Sequence, residues 1–221
     1  MSLSVYRQIV DRVAMNRSLW FLLLMLTMAS ALAMQAPQDL VQSTTDQITA
    51  TLRKEQDKIK DDPNHLLQIV DTIVAPHFDF QRMSSWVLGK YWRTAKADEK
   101  ERFAQEFRTL LVRTYAKALN DNYDKKIDML PVRERSGGQE ALVRTEVQQD
   151  AGFPIPIDYR MHVKNGQWKV YDVSVDGISL VTNYRSSFAK EIRQDGLPKL
   201  IARLAERNKS GEVEETAPVG K

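Results

Sequence analysis

The sequence predicts an α+β fold in which a curved antiparallel sheet of about four strands is covered by helices. Apolar residues recur with helical spacing before residue 120 and again after residue 178. Between these regions, residues 127–175 alternate apolar with polar positions, and glycine-containing turns separate the runs. Helices followed by strands and then by more helices are typical of α+β proteins, whereas parallel α/β folds alternate the two.

The first 33 residues have the three parts of a secretory signal peptide. Arg7, Arg12 and Arg17 supply a basic flank, an apolar run follows, and small residues end the segment at Ala33. The apolar run of roughly 15 residues is shorter than the roughly 20 that cross a bilayer, which favours a cleaved leader over a retained membrane anchor. We therefore expect an exported protein that is cleaved after Ala33.

A single α+β domain is predicted over residues 34–208, followed by a polar, flexible tail over residues 209–221. The chain contains no cysteine, which excludes disulfides, a thiol nucleophile and thiolate metal ligands. Its formal net charge is only +3, and the leader arginines contribute to it, so nothing suggests binding to nucleic acid.

The helical segments before residue 120 share apolar spacings of three to four residues and have recognisable ends. They cover residues 40–60, 66–74, 78–86 and 98–119. Pro63 suits the first turn of the second segment, Pro76 follows its end, and Gly89 is a C-cap for the third.

The predicted strands cover residues 127–135, 141–147, 157–163 and 168–175. Asn165-Gly166 is a strong signal for a tight hairpin between the last two. In the fourth strand the apolar alternation changes face between Val170 and Tyr171, which predicts either a bulge or burial of both faces.

The Asp176-Gly177 pair is expected to end the sheet. Apolar spacing then predicts a helix over residues 178–192, closed by Gly196, and a last short helix over residues 197–204. The helices over residues 103–119 and 178–192 are the candidates for covering the apolar face of the sheet.

No catalytic set is visible in the sequence. His65, His77 and His162 lack metal-ligand spacing and are interpreted as surface or structural residues. There is no G-x-S-x-G elbow and no glycine loop that would hold a phosphate. We therefore expect no enzymatic activity, no metal and no cofactor. From the residue pattern alone, the aromatic side chains between helices and sheet are core.

Four stretches carry further information through their order and spacing. They read VAPHFDF within residues 74–84, VLGKYWR at 87–93, the FRTLL centre of 103–115, and WKVYDV, GISL and NYR within 168–185. Together they resemble the MlaC family of periplasmic phospholipid-binding proteins, also called the toluene-tolerance auxiliary family.

The resemblance implies a periplasmic carrier that shuttles glycerophospholipids between the inner and outer membranes of a Gram-negative envelope. It would belong to an ABC-transporter-linked system that maintains outer-membrane lipid asymmetry. The implied partners are phospholipids, an inner-membrane ABC transporter with an MCE-domain ring, and an outer-membrane complex of a lipoprotein with a porin. A shuttle of this kind is expected to be a monomer whose ligand is a bound phospholipid rather than a cofactor.

The resemblance also implies an apolar lipid cavity between sheet and helices. Its candidate lipid contacts are inward-facing residues of the sheet and the two covering helices, and each is equally compatible with ordinary packing. These candidates are Phe103, Phe107, Leu111, Tyr115, Val147, Tyr159, Met161, Val170, Val173, Ile178 and Val181. Two other functions stay open: a structural or adaptor domain with a solid core, and a hydrolase acting on the envelope.

Overall fold

The computed structural model describes residues 34–211, except for the side chains of residues 134–136. The predicted leader, residues 1–33, lies outside the described residues, as does most of the predicted tail, residues 212–221. The helices are α1 (Pro37–Asp61), α2 (Pro63–Ile73), α3 (Phe80–Leu88), α4 (Lys90–Thr94), α5 (Ala97–Asp121), α6 (Leu180–Asp195) and α7 (Leu197–Ser210). The strands are β1 (Ile127–Arg135), β2 (Glu140–Val147), β3 (Ile155–Lys164), β4 (Gln167–Val175) and β5 (Ile178–Ser179).

The predicted helix ends are confirmed by their capping geometry. Pro63 opens α2, and the Asp62 carboxylate accepts a hydrogen bond from the backbone N–H of Asn64. Gly89 caps α3 with a φ of 53°, a left-handed value that other residues rarely adopt. Gly196, with a φ of 84°, separates α6 from α7.

The strands form one open antiparallel sheet in the order β1-β2-β3-β4-β5, which confirms the predicted fold class with five strands rather than about four. The Asn165-Gly166 turn joins β3 to β4 as predicted. Its φ values of 53° and 73° are both positive, as a type I′ turn requires.

The sheet continues beyond Asp176-Gly177, so the prediction that it ends there is wrong. These two residues have φ values of 50° and 77° and form a second tight turn. Ile178 then pairs with Val175 as part of β5. Helix α6 starts only at Leu180, where the Ser179 hydroxyl accepts a hydrogen bond from the Thr182 N–H.

Strand β4 contains the predicted bulge. Met161 pairs with Val170 while Arg160 pairs with Asp172, so Tyr171 is an extra residue on β4. The central residues of β4 are also buried on both faces, so both predicted explanations of its apolar pattern hold.

Helix α1 lies against β1 and β2, and α3 and α6 lie against β4. The prediction that the 178–192 helix covers the sheet is therefore confirmed. The long helix α5 packs on α2, α3 and α7 instead and faces the sheet across an open space. Within residues 34–211, no helix combines the length and the apolar character that crossing a membrane requires.

A solid core lies between α3, α5, α6 and α7. At its centre are Phe103, Phe107, Tyr184 and Phe188, which we call the aromatic cluster. The Phe107 and Tyr184 ring centroids are 5.3 Å apart, and those of Phe103 and Phe188 are 5.9 Å apart, both in edge-to-face arrangements. Rings in contact at these distances fill the space between the helices.

Candidate functional site

An apolar cavity of about 300 Å³ lies between the sheet and helices α1, α2 and α5. Engineered apolar cavities of about 150 Å³ already bind benzene, and pockets for small ligands begin at about 300 Å³. The space that separates α5 from the sheet is therefore large enough to hold an apolar ligand.

The helical wall of the cavity comes mainly from two helix faces. The α1 residues recur at spacings of three and four, so they share one face of the helix. They are Leu40, Val41, Thr44, Thr45, Ile48, Thr49 and Leu52. The C-terminal half of α5 contributes Leu111, Val112, Tyr115, Ala118 and Leu119.

The end of α2 and the turn after it close the cavity on one side. This part of the wall includes Val70, Val74, Ala75, His77, Phe78 and Phe80. Phe78 also forms an isolated bridge to Val170, and the Asp79 N–H donates to the Val170 carbonyl at 2.8 Å. These contacts attach the turn to the middle of β4.

The sheet wall consists of side chains from one face of β1 to β4. Alternate residues of a strand share a face, and the bulge at Tyr171 allows both Val170 and Val173 to point into the cavity. The sheet residues in the wall are Ile127, Val147, Ile155, Ile157, Tyr159, Met161, Val170, Val173 and Val175.

No Asp, Glu, Lys or Arg is among the described residues that line the cavity. Burial lowers the pKa of His77, and the nearby Lys169 lowers it further, so the imidazole favours its neutral form. Burial raises the pKa of Tyr159, an effect that a hydrogen bond with Thr145 partly offsets. An uncharged wall accommodates an apolar ligand, whereas a charged group inside it would lose its hydration without gaining a partner.

The most exposed part of the cavity wall lies where α5 ends. Leu119 lines the wall and is 36% exposed, and Asn122, Tyr123 and Gln149 are half-buried beside it. Just outside, Lys125 and Asp150 form an ion pair that joins the α5–β1 and β2–β3 loops. We call this end the mouth.

The structure brings most of the predicted lipid contacts to the cavity wall. They are Leu111, Tyr115, Val147, Tyr159, Met161, Val170 and Val173.

The other predicted contacts lie elsewhere. Phe103, Phe107 and Val181 are buried in the solid core. The two phenylalanines pack against Tyr184 and Phe188 of α6 rather than against the sheet. Ile178 is 49% exposed, because the Asp176-Gly177 turn holds it at the edge of the sheet.

Neither the α1 wall nor a site role for His77 was predicted from the sequence. The signal for α1 was present: threonines share its apolar face, as expected of a helix beside an open space rather than a dense core. The other two histidines are structural, as interpreted. His65 pairs with Glu55, and His162 Nε2 lies 3.0 Å from Asp79 Oδ2. Over residues 34–211, no three His, Asp or Glu side chains are grouped so that they could hold a metal ion.

A family model described as MlaC protein matches residues 42–206, well over half of the chain. The intermembrane phospholipid transport system binding protein MlaC of Haemophilus influenzae is 29% identical over 194 residues, covering 84% of this chain and 91% of that protein. The toluene tolerance protein ttg2D of Pseudomonas putida is 29% identical over 165 residues, covering 74% of this chain and 76% of that protein.

A solved structure shares the fold at comparable sequence identity. It is the phospholipid-binding protein of Ralstonia solanacearum in complex with a phospholipid. The two structures superpose with a TM-score of 0.72 at 29% identity, over 80% of this chain and 99% of that one.

Proposed function

The chain belongs to the MlaC family, and from that premise we propose that it is a periplasmic carrier of glycerophospholipids rather than an enzyme. The observation that supports this most directly is the uncharged apolar cavity between α1, α5 and the sheet. A solid-core structural or adaptor domain would have filled this space with side chains, as the aromatic cluster does beside the N-terminal half of α5.

The lipid would lie with its acyl chains in the cavity and its headgroup at the mouth. Leaving a charged phosphate near water avoids the cost of burying it in an uncharged wall. The mouth also offers hydrogen-bonding side chains in Asn122, Tyr123 and Gln149. The seven predicted contacts on the wall are the proposed acyl-chain contacts within this arrangement.

The energy of acyl-chain burial indicates how such a carrier must release its cargo. Roughly 30 methylenes at about 0.8 kcal/mol each give a gross transfer term of ~24 kcal/mol. This exceeds the ~18–21 kcal/mol at which non-covalent affinities saturate. Release into water would therefore be extremely slow, and the lipid leaves only where a partner offers an apolar path from the mouth.

The proposed partners are the inner-membrane ABC transporter with its MCE-domain ring and the outer-membrane lipoprotein–porin complex. The carrier would move between them as a monomer after removal of its leader, within a system that maintains outer-membrane lipid asymmetry.

Lipid exchange measures the dependence on partners. The purified protein, loaded with a fluorescent phospholipid, is mixed with phospholipid vesicles that either contain or lack the purified partner complexes. We expect transfer only with vesicles that contain a complex. Equal transfer rates to both kinds of vesicle would contradict partner-dependent release.

A further inference from the structure

An aromatic and basic surface lies on the face of the sheet opposite to the lipid cavity. It consists of Arg82 and Trp86 on α3 and of Arg160 and Lys164 on β3, with the buried Tyr171 of β4 beneath them, and we call it the Trp86 patch. Trp86 is 41% exposed, an unusual setting for so large an apolar side chain. None of these residues lines the lipid cavity.

The patch is ordered by contacts among its own side chains. The Trp86 and Tyr171 ring centroids are 5.3 Å apart. The Arg82 guanidinium lies 4.1 Å from the Tyr171 ring centroid and 5.8 Å from that of Trp86, and its Nη2 donates to Glu140 Oε1 at 2.9 Å. Aromatic and arginine side chains held in this way lose little conformational entropy when a partner binds.

The exposed charge on the patch is positive. The Arg160 and Lys164 side chains are 50% and 44% exposed, whereas the acids they contact, Asp172 and Asp79, are 2% and 5% exposed. Glu140, which pairs with Arg82, is the carboxylate of this group that reaches the surface. The Lys164 ammonium lies 3.0 Å from Asp79 and the Arg160 guanidinium 3.8 Å from Asp172, and both cations keep donors facing solvent.

Arg160 and Lys164 lie on the face of β3 opposite to that of Tyr159 and Met161, which line the cavity. Glu140, which contacts Arg82, begins β2, and Val147, which lines the cavity next to the mouth residue Gln149, ends it. At about 3.3 Å per residue these ends are roughly 23 Å apart. A partner bound to the patch would therefore leave the mouth accessible.

We propose that the Trp86 patch is a docking surface for a protein partner that presents carboxylates around a pocket for the Trp86 ring. Trp, Tyr and Arg are the residues most enriched among those that dominate binding energy at protein interfaces. The excess of exposed cations complements an acidic surface and excludes a basic one.

The position of the patch favours a protein over a lipid surface as the occupant. A membrane lying against the patch would face Arg160 and Lys164, and the sheet would separate it from the cavity, which Tyr159 and Met161 line on the other face. A protein partner has no such restriction, since it can hold the carrier on one face while the mouth reaches its lipid path. Assigning the Trp86 patch as a docking surface rests on the proposed function, because the partner complexes used as probes are the ones proposed there.

Binding of the purified protein to each immobilised partner complex tests the proposal. We expect Trp86→Ala and Arg160→Gln to raise the Kd for at least one complex tenfold or more. Arg160→Lys keeps the charge and should restore most of the affinity. Arg53→Gln, a change of an exposed arginine on α1, is the matched control and should bind as the wild type does.

Thermal melting of each variant checks folding, and native mass spectrometry checks bound lipid. A loss of affinity, while lipid occupancy and melting temperature stay unchanged, supports the docking surface. Wild-type affinity of Trp86→Ala and Arg160→Gln for both complexes would overturn it, as would a wild type that binds neither complex. If the variants lose binding to phosphatidylglycerol vesicles but not to the partner complexes, the patch binds a membrane and the proposal is overturned. Absence of bound lipid in every variant and the wild type contradicts the proposed function instead.

Discussion

The two halves of helix α5 carry the same apolar period but face different surroundings. In its N-terminal half, Phe103 and Phe107 contact Tyr184 and Phe188 in a fully buried core. In its C-terminal half, Tyr115 and Leu119 face the sheet across a cavity of about 300 Å³. Helical periodicity therefore identifies which side of a helix is turned away from water, but not whether that side meets protein or ligand.

The difference comes from the neighbours of the helix. Helices α6 and α7 approach the first half closely and supply large rings and leucines to fill the gap. The second half is opposite α1, whose cavity face contains Thr44, Thr45 and Thr49, and a sheet wall rich in valine and isoleucine. These shorter side chains do not reach across the space, so it stays open.

Equal leucine truncations on the two halves of α5 should give the largest contrast. Leu110 is 2% exposed in the solid core, and Leu110→Ala should lower the free energy of unfolding by about 2–5 kcal/mol. Leu119 borders the mouth, and Leu119→Ala should cost less than about 1 kcal/mol because little packing is lost. Urea denaturation of both variants measures the difference. Similar costs would show that the cavity side is packed as densely as the core.

Replacing a valine by a larger residue, once in the solid core and once in the cavity wall, tests the same contrast by adding volume instead of removing it. Val181 is fully packed in the solid core, so Val181→Trp should destabilise the fold by about 1–3 kcal/mol or more. Val173 faces the cavity, where the indole has space, so Val173→Trp should leave the stability within about 1 kcal/mol of the wild type.

The same two variants should differ in lipid content in the reverse order. Val173→Trp fills part of the cavity and should lower the phospholipid bound per protein, whereas folded Val181→Trp should retain it. Denaturant titration and lipid extraction from the purified variants provide both measurements. Full lipid content in Val173→Trp would place the ligand elsewhere.

A smaller effect is expected of pH on the free energy of unfolding, through His77 in the cavity wall. The pKa of His77 is lowered in the fold by burial and then by Lys169, so the unfolded chain binds protons that the fold does not. The free energy of unfolding should therefore rise with pH up to the ordinary histidine pKa of about 6.5 and then level off. Because the ring is half-buried, the His77 contribution should be less than about 1 kcal/mol.

His77→Gln should flatten this rise without removing it. His162, whose pKa is also lowered, first by burial and then by Arg82, contributes in the same direction and remains in the variant. Urea titrations at pH 5 to 8 give the two slopes. An unchanged slope in His77→Gln would mean that the cavity does not desolvate the imidazole.

The sequence predicted the parts of the fold that depend on local chemistry. Pro63, Gly89 and the Asn165-Gly166 turn act through their own backbone preferences, and the structure places each as predicted. The bulge in β4 was also predictable, because an apolar alternation that changes face requires an extra residue.

The predictions that differ from the structure concern features that depend on residues distant in the sequence. Asp176-Gly177 has the residues of a tight turn, but whether two more residues pair after it depends on the free edge of β4. Phe103, Phe107 and Val181 follow the same apolar pattern as the cavity residues, and only the approach of α6 and α7 separates the two groups. Phe103 and Phe107 were candidate contacts only through the family resemblance, and they lie in the core that the residue pattern alone predicted for them.

Native mass spectrometry of the protein purified from its own host tests the central claim most directly. We expect added mass that matches one or more phospholipids, that is lost when the lipid is extracted and that is reduced in Val173→Trp. A protein that carries no lipid, and takes up none from phospholipid vesicles in the presence of its partner complexes, would contradict it.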